Sequence, residues 1–374
     1  MKGRFDGTLR RLTLLNEKFT QEDLDRSRRY HRPLYGIRLA ELAVGLAVPG
    51  ALAVADAGTW FGLRWWLEVP MLVALVLVAA ALVRLPLSAW RLRHERRWGF
   101  STQSTRRWLT DRAKALAIGV ALTSVAFLGL VGAARLFPRW WPLVAGVGAA
   151  ALVALLTFVA PVILEPVFNR FRPLADARLA GELRELAERA GVPVRDVLVA
   201  DASRRTRKHN AYVSGLGRTR RVVLWDTLLA DVAEPELKVV VAHELGHRRH
   251  RHVAWGTALG MAGAAGAVLL LWAVGPPASE PEVVPFALFL FGALELTSLP
   301  LGAAVSRSWE RAADRFSIEL TADPEAYVRL HYGLARDNVG DLDPPRAWHL
   351  VFHGHPTAPE RIAAARKNAS SLSV

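Results

Sequence analysis

The sequence contains no cysteine among its 374 residues, and its 34 acidic residues are outnumbered by 48 basic ones. Without cysteine the chain has no thiolate nucleophile, no disulfide and no cysteine-ligated zinc or iron–sulfur site. Any metal ion must therefore be held by His, Asp or Glu. The composition also argues against a disordered, collagenous or disulfide-stapled protein.

Apolar residues make up 52% of the chain and are gathered into six long runs. Each run is near the ~20 residues that a helix needs to cross ~30 Å of hydrocarbon. Charges occur in three of them, as Arg38 and Glu41, Arg84, and Glu295. The runs are Gly36 to Ala57, Leu67 to Trp90, Ala115 to Ala134, Trp140 to Leu164, Val253 to Gly275 and Val283 to Val305. They predict a polytopic α-helical membrane protein with about six transmembrane helices.

The distribution of basic residues predicts the orientation. Eight basic residues against two acidic ones lie between Arg91 and Lys114, as is typical of a cytosolic loop. With six spans, both termini and the segment between the fourth and fifth spans are then cytosolic, whereas Pro276 to Glu282 lies outside. We interpret the net charge of +14 as positive-inside bias and contact with the lipid bilayer, with no nucleic-acid partner. The mixed-charge start of the chain lacks the features of a secretory signal peptide.

The strongest chemical signal is the pattern His243-Glu244-Leu245-Gly246-His247. Two histidines four residues apart lie on one face of a helix, so both imidazoles can bind one zinc ion. Glu244 lies about 100° around the helix, where it can act as a base without binding the metal. By composition the pattern is expected roughly 0.016 times in this chain. The alternative is a basic helix end at the membrane interface, because Arg248 to His252 resembles an interfacial flank.

A catalytic zinc site needs a third protein ligand and one open position. A third histidine ten residues after the first would require glycine at position 250 and histidine at position 253, but the sequence has His250 and Val253. The other common ligand is a glutamate from a later helix, which Glu310 supplies after the sixth span. In the predicted topology, Glu310 and His247 lie on the same side of the membrane. Asp314, one turn after Glu310, can accept the second ring N–H of a ligand histidine. Taken alone, Glu310 would be read as a solvated helix carboxylate paired with Arg307 or Arg311.

These residues resemble the CAAX prenyl protease family of integral-membrane zinc metallopeptidases and, more distantly, the HtpX-like proteases. The resemblance covers nearly the whole chain and is strongest at His243-Glu244-x-x-His247 and Glu310-x-x-x-Asp314. The eukaryotic CAAX enzymes have seven spans, of which six are visible here. Further similar stretches are Leu85-Pro86, Glu95 with Gly99-Phe100, Glu165 to Phe171, Asn210 to Gly215, Val223 to Leu228 and His355 to Ile362.

The resemblance implies roles for three further residues. The extended stretch at Asn210 would line the cleft, where substrate binds as an added strand and Asn210 helps to stabilise the tetrahedral intermediate. His355 would face the zinc from the C-terminal tail and donate to the developing oxyanion. Arg361 would anchor that loop through a carboxylate.

The soluble parts of the chain are predicted to form a small α+β zinc-metallopeptidase domain on the cytosolic side. A helix is predicted over Asp176 to Gly191, strands over Val197 to Ala200 and Arg221 to Trp225, an extended stretch over Asn210 to Gly217, and C-terminal helices up to Leu320 and over Pro324 to Leu334. The regions are then a cytosolic tail (1–35), four transmembrane helices with the basic loop 91–114 (36–165), a catalytic segment (166–252), two transmembrane helices (253–306) and a C-terminal catalytic segment (307–374).

The predicted function is a membrane-embedded zinc metalloendopeptidase of the HEXXH plus Glu (gluzincin) type, acting on peptides or membrane proteins at the cytosolic face. One alternative is an HtpX-like protease that removes damaged membrane proteins. Another is a transporter or a catalytically silent membrane scaffold, in which Glu41, Arg84 and Glu295 are functional intramembrane charges.

Overall fold

The computed structural model describes residues 19–215 and 217–372, so most of the predicted tail 1–35 lies outside the described residues. The described chain is mostly helical. Its longer helices are α1 Gln21–Val54, α2 Trp65–Arg97, α3 Thr105–Leu136, α4 Trp141–Val159, α5 Ala177–Arg189, α6 Asp226–Asp231, α7 Glu234–Arg249, α8 His252–Val274, α9 Val283–Thr321, α10 Pro324–Asp337, α11 Arg346–Phe352 and α12 Ala358–Leu372. Short 3₁₀ turns occur at Ala57–Thr59, Ala202–Arg204 and Gly217–Thr219.

Six helices in the described residues are long and apolar enough to cross a membrane, namely α1, α2, α3, α4, α8 and α9. Helix α4 continues through a π-helical turn, Ala160–Leu164, and a last α-helical turn, Glu165–Phe168. The predicted polytopic helical fold with six candidate membrane helices is therefore confirmed.

Helix α1 begins about fifteen residues before the apolar run at Gly36. Thr20 and Asp23 form a capping box, in which the Thr20 hydroxyl accepts the Asp23 N–H and the Asp23 carboxylate accepts the Thr20 N–H. The polar first turns of α1 pack on the C-terminal part of the chain, where the Ser27 hydroxyl donates to the Gly340 carbonyl at 2.8 Å. The described end of the predicted tail is thus part of a helix rather than a separate segment.

Helix α9 runs without interruption from the sixth apolar run to Thr321. The sequence contains no helix-ending signal near Val305, where the predicted span stops, and the helix ends only where Ala322 takes a left-handed conformation (φ 52°). One helix therefore carries both a candidate membrane span and the residues Glu310 and Asp314.

A four-stranded sheet forms the soluble domain, with β1 Phe171–Pro173, β2 Asp196–Ala200, β3 Ala211–Ser214 and β4 Arg221–Trp225 in the order β1-β2-β4-β3. The β2–β4 pair is parallel and the other two pairs are antiparallel. Strand β1 was not predicted, because it has only three residues and ends in proline, which sheets tolerate at an edge.

Helix α7 is held by the core beneath this sheet. The predicted apolar face of α5 is buried, with Leu183 completely inaccessible, and it packs with Leu237, Val241 and Leu245 of α7 and with strand residues such as Leu224. Burying a leucine side chain contributes about 1.5–3 kcal/mol. The soluble core thus fixes the rotation of α7, whose remaining face carries His243 and His247.

Candidate metal centre

Helices α7 and α9 bring three possible metal ligands together. The Nε2 atoms of His243 and His247 lie 3.1 Å apart. Each is 3.3 Å from a carboxylate oxygen of Glu310. Among the described residues, these three form the group of His and acidic side chains close enough to hold one metal ion.

The geometry of the group fits a tetrahedral zinc ion. With bonds of about 2.0–2.1 Å, neighbouring donor atoms of such a centre lie about 3.3–3.4 Å apart. The two Nε2 atoms are 3.1 Å apart, and each lies 3.3 Å from a different Glu310 oxygen, Oε2 for His243 and Oε1 for His247. The Glu310 side chain is 5% exposed, and its two carboxylate oxygens face the Nε2 atoms of His243 and His247. A buried carboxylate that faces two imidazole nitrogens suits a cation.

Gly246 allows the two ligand-bearing helices to approach. A Cβ atom built at this position would lie 3.1 Å from both the Ala313 Cα and the Phe316 Cδ1 of α9. Ala313 is itself completely buried. A larger residue at position 246 would separate α7 from α9 and move Glu310 away from the histidines.

Asp314 and Arg361 hold the outer side of His243. The Asp314 Oδ1 atom is 3.0 Å from the His243 Nδ1 atom, and Arg361 donates to both carboxylate oxygens of Asp314, from Nε at 3.0 Å and also from Nη2. Burial lowers the pKa of Arg361, but Asp314 outweighs it and holds that pKa above its usual value. Arg361 thus contacts a carboxylate that faces a candidate ligand histidine, as a partner that orients such a histidine would.

Glu244 lies beside the metal group but is not part of it. Its side chain is partly exposed, and no hydrogen bond or ion pair within the described residues engages its carboxylate. Burial raises the pKa of Glu244 above its usual value, and the neighbouring His243 and His247 act against that rise. A carboxylate beside the group that has no hydrogen-bond partner among the described residues is suited to accept a proton.

His355 reaches the group from the C-terminal segment. Its Nδ1 atom is 2.8 Å from the Glu310 Oε2 atom, and its side chain is 67% exposed. Arg307, one turn before Glu310, donates to the carbonyls of His349 (3.0 Å) and His353 (2.6 Å) and thereby holds the end of α11. Gly354 allows the loop to approach α9, since an added Cβ would lie 2.8 Å from the Ser306 hydroxyl.

Asn210 stands apart from this cluster in its contacts. It is exposed, its side-chain oxygen accepts the Ala211 N–H at 3.0 Å, and it directly precedes the edge strand β3. Strand β3 contacts α7, where Arg248 donates to the Val213 carbonyl. Within the described residues no hydrogen bond joins Asn210 to a candidate ligand.

Sequence reasoning missed two contributors, Arg307 and His252. Arg307 was considered only as an ion-pair partner of Glu310, whereas its guanidinium donates hydrogen bonds to the backbone carbonyls of His349 and His353. His252 was read as part of an interfacial flank, whereas its Nδ1 atom is 3.0 Å from the Nδ1 atom of His247. Its position five residues after a ligand histidine was the available signal.

Comparison with known proteins places these features in a family. Residues 173–369 match peptidase family M48, and residues 13–170 match the CAAX prenyl protease N-terminal region, described as five membrane helices. Four of the candidate membrane helices found in the described chain, α1 to α4, fall in that region.

The chain is 30% identical over 307 residues to the uncharacterized metalloprotease YhfN of Bacillus subtilis, covering 76% of this chain and 70% of that protein. It is 32% identical over 182 residues to CAAX prenyl protease 1 of Saccharomyces cerevisiae, covering 46% of this chain and 39% of the yeast protein. The crystal structure of S. mikatae Ste24p has the same fold, with a TM-score of 0.80 and 24% identity over 94% of this chain and 90% of that one. The chain therefore belongs to peptidase family M48, a membership that supports membrane metalloprotease function.

Proposed function

We propose that the protein is a zinc-dependent endopeptidase of the CAAX-protease type, embedded in the cell membrane with its active site on the cytosolic side. The observation that carries the proposal is that the Nε2 atoms of His243 and His247 lie 3.1 Å apart and that each lies 3.3 Å from a carboxylate oxygen of Glu310. His243 and His247 come from α7, and Glu310 comes from α9. The match to the CAAX prenyl protease N-terminal region supports this type over the HtpX-like alternative.

These three side chains would hold the zinc ion, with Glu244 beside the group. When bound, the ion would supply Lewis acidity that polarises the scissile carbonyl and makes water a better nucleophile. Glu244 takes the proton from the attacking water and later passes it to the leaving amine. Its carboxylate makes no ion pair or hydrogen bond in the described residues, so it is available for both transfers.

Substrate would bind along the edge of the sheet. Strand β3 has a neighbour only on its β4 side within the described sheet, so an extended peptide can add to its other edge. Asn210 lies at the start of that edge, and the exposed His355 lies beside Glu310. His355, helped by Asn210, would donate hydrogen bonds to the oxyanion of the tetrahedral intermediate.

Metal analysis tests the proposal directly. Protein purified without chelators should contain about one zinc ion per chain, because a His, His, Glu set with this geometry suits zinc. A chelator should remove both the metal and the peptidase activity, and stoichiometric zinc should restore them. Full activity in protein with less than a tenth of an equivalent of zinc would contradict the proposal.

The proposed orientation can be tested with single cysteines, because the chain has none of its own. Ser279→Cys lies in the short loop between α8 and α9, and Glu188→Cys lies on the exposed face of α5. A membrane-impermeant maleimide added to intact cells should label the first variant, whereas the second should react only after lysis. The reverse pattern would place the active site on the outer face.

A further inference from the structure

The two histidines of the candidate metal centre have different outer partners. The Nδ1 atom of His243 faces the Asp314 carboxylate at 3.0 Å, whereas the Nδ1 atom of His247 faces the Nδ1 atom of His252 at 3.0 Å. We infer that His252 is the positioning residue for His247, accepting its ring N–H and so fixing its tautomer and orientation. This inference rests on the proposed metal site and adds a residue to it.

A short break between two helices places His252 beside His247. Helix α7 ends at Arg249, and helix α8 begins at His252. Between them Arg251 takes a left-handed conformation, with φ 57° and ψ 29°. A non-glycine residue in this region costs about 1–2 kcal/mol, so the surrounding contacts must favour this break. Across the break, the residue five positions after a candidate ligand lies against the outer nitrogen of that histidine.

Packing from α9 holds the His252 ring in place. His252 is 6% exposed, and its ring stacks on Trp309 with centroids 5.0 Å apart and planes at 7°. Trp309 directly precedes Glu310. Gly256, one turn further along α8, also faces the indole, since a Cβ built there would lie 3.6 Å from it. His252 therefore packs between His247 and Trp309, the residue that precedes Glu310.

The chemistry of a bound imidazole requires such a partner. When Nε2 of His247 binds a cation, its Nδ1 atom carries the proton and must donate it. The Nδ1 atom of His252 is then the acceptor, which puts the proton of His252 on Nε2. Unlike Asp314, His252 accepts this hydrogen bond without bringing a negative charge. The site thus combines one anionic and one neutral outer partner.

Zinc affinity tests the inference without relying on activity. His252→Phe keeps an aromatic ring for Trp309 but has no acceptor, and His252→Asn loses the ring but carries an oxygen close to the position of Nδ1. We expect the His252→Phe variant to bind zinc about 10–100-fold more weakly than the unchanged protein, as measured by competition with a chromophoric chelator in detergent. The His252→Asn variant should bind zinc at least several-fold more tightly than the His252→Phe variant. His250→Phe is the matched control, because His250 stacks on His252 with centroids 5.5 Å apart but contacts no ligand, and it should bind zinc as the unchanged protein does.

Size-exclusion chromatography and circular dichroism establish that each variant is folded. If folded His252→Phe binds zinc as tightly as the unchanged protein, the inference is wrong even though the metal site stands. If the His252→Asn variant binds zinc no more tightly than the His252→Phe variant, the acceptor atom at this position does not support zinc binding, and the inference is again wrong. If the unchanged protein itself binds no zinc, the proposed function fails instead.

Discussion

Replacing Glu244 with glutamine should lower kcat/KM by about 10²–10⁴-fold while leaving the zinc content unchanged. The amide has nearly the same shape as the carboxylate but cannot accept the proton that the mechanism assigns to it. Glu244 makes no ion pair or hydrogen bond in the described residues, so the substitution breaks no structural contact. Peptide cleavage by purified protein, measured together with metal content, checks both parts of this expectation.

Glu236→Gln is a matched control for this variant because it changes the same residue type on the same helix. Glu236 pairs with Arg329 at 2.7 Å, about two turns before Glu244 and away from the candidate ligands. Its activity should stay within about twofold of the unchanged protein. If Glu244→Gln retained full activity, Glu244 would not be the general base.

Replacing Glu310 with alanine should remove the metal as well as the activity. Zinc binds to protein sites with about 10–16 kcal/mol, so losing one of three protein ligands should cost about 3 kcal/mol or more. That corresponds to a decrease in zinc affinity of about 10²-fold or more. Chelator competition measures the affinity, and peptide cleavage should fall below detection at limiting zinc.

Glu319→Ala provides the comparison on the same helix. Glu319 is exposed on α9, nine residues after Glu310, and it is not one of the candidate ligands. Its zinc affinity and activity should match those of the unchanged protein. A Glu310→Ala protein that kept one tightly bound zinc ion would show that another residue is the third ligand.

Much of the architecture could be predicted because it depends on patterns local in the sequence. Six apolar runs of membrane-spanning length specify six helices, and the spacing of Leu179, Leu183 and Leu186 specifies the buried face of α5. The two histidines of α7 are four residues apart, so one helix turn brings them together. Glu310 could be paired with them only by combining motif spacing with topology, and the structure brings it to the same place.

The remaining features depend on contacts that the sequence does not encode locally. Arg307 is one of many arginines, and only the packing of α11 against α9 shows that its guanidinium binds backbone carbonyls. His252 comes against His247 only because Arg251 adopts a left-handed conformation, which residue preferences do not favour. The sequence predicts a membrane span that ends at Val305 and a separate helix up to Leu320, because the composition changes from apolar to charged. The structure has one helix to Thr321, since the backbone hydrogen bonding continues through that change.

Because α9 is one continuous helix, a bend within it moves all the residues beyond the bend together. Pro300 lies within the helix, where proline removes one backbone hydrogen bond and permits bending, and Glu310 lies about 15 Å farther along the axis. A change of about 5° at Pro300 would swing Glu310 by about 1.3 Å, several times the roughly 0.2 Å that metal coordination tolerates. If the proposed site holds zinc, the bend of this candidate membrane helix and the metal affinity are thermodynamically linked. A bilayer that favours one tilt of α9 would then change metal binding, and a bound ion would in turn favour that tilt.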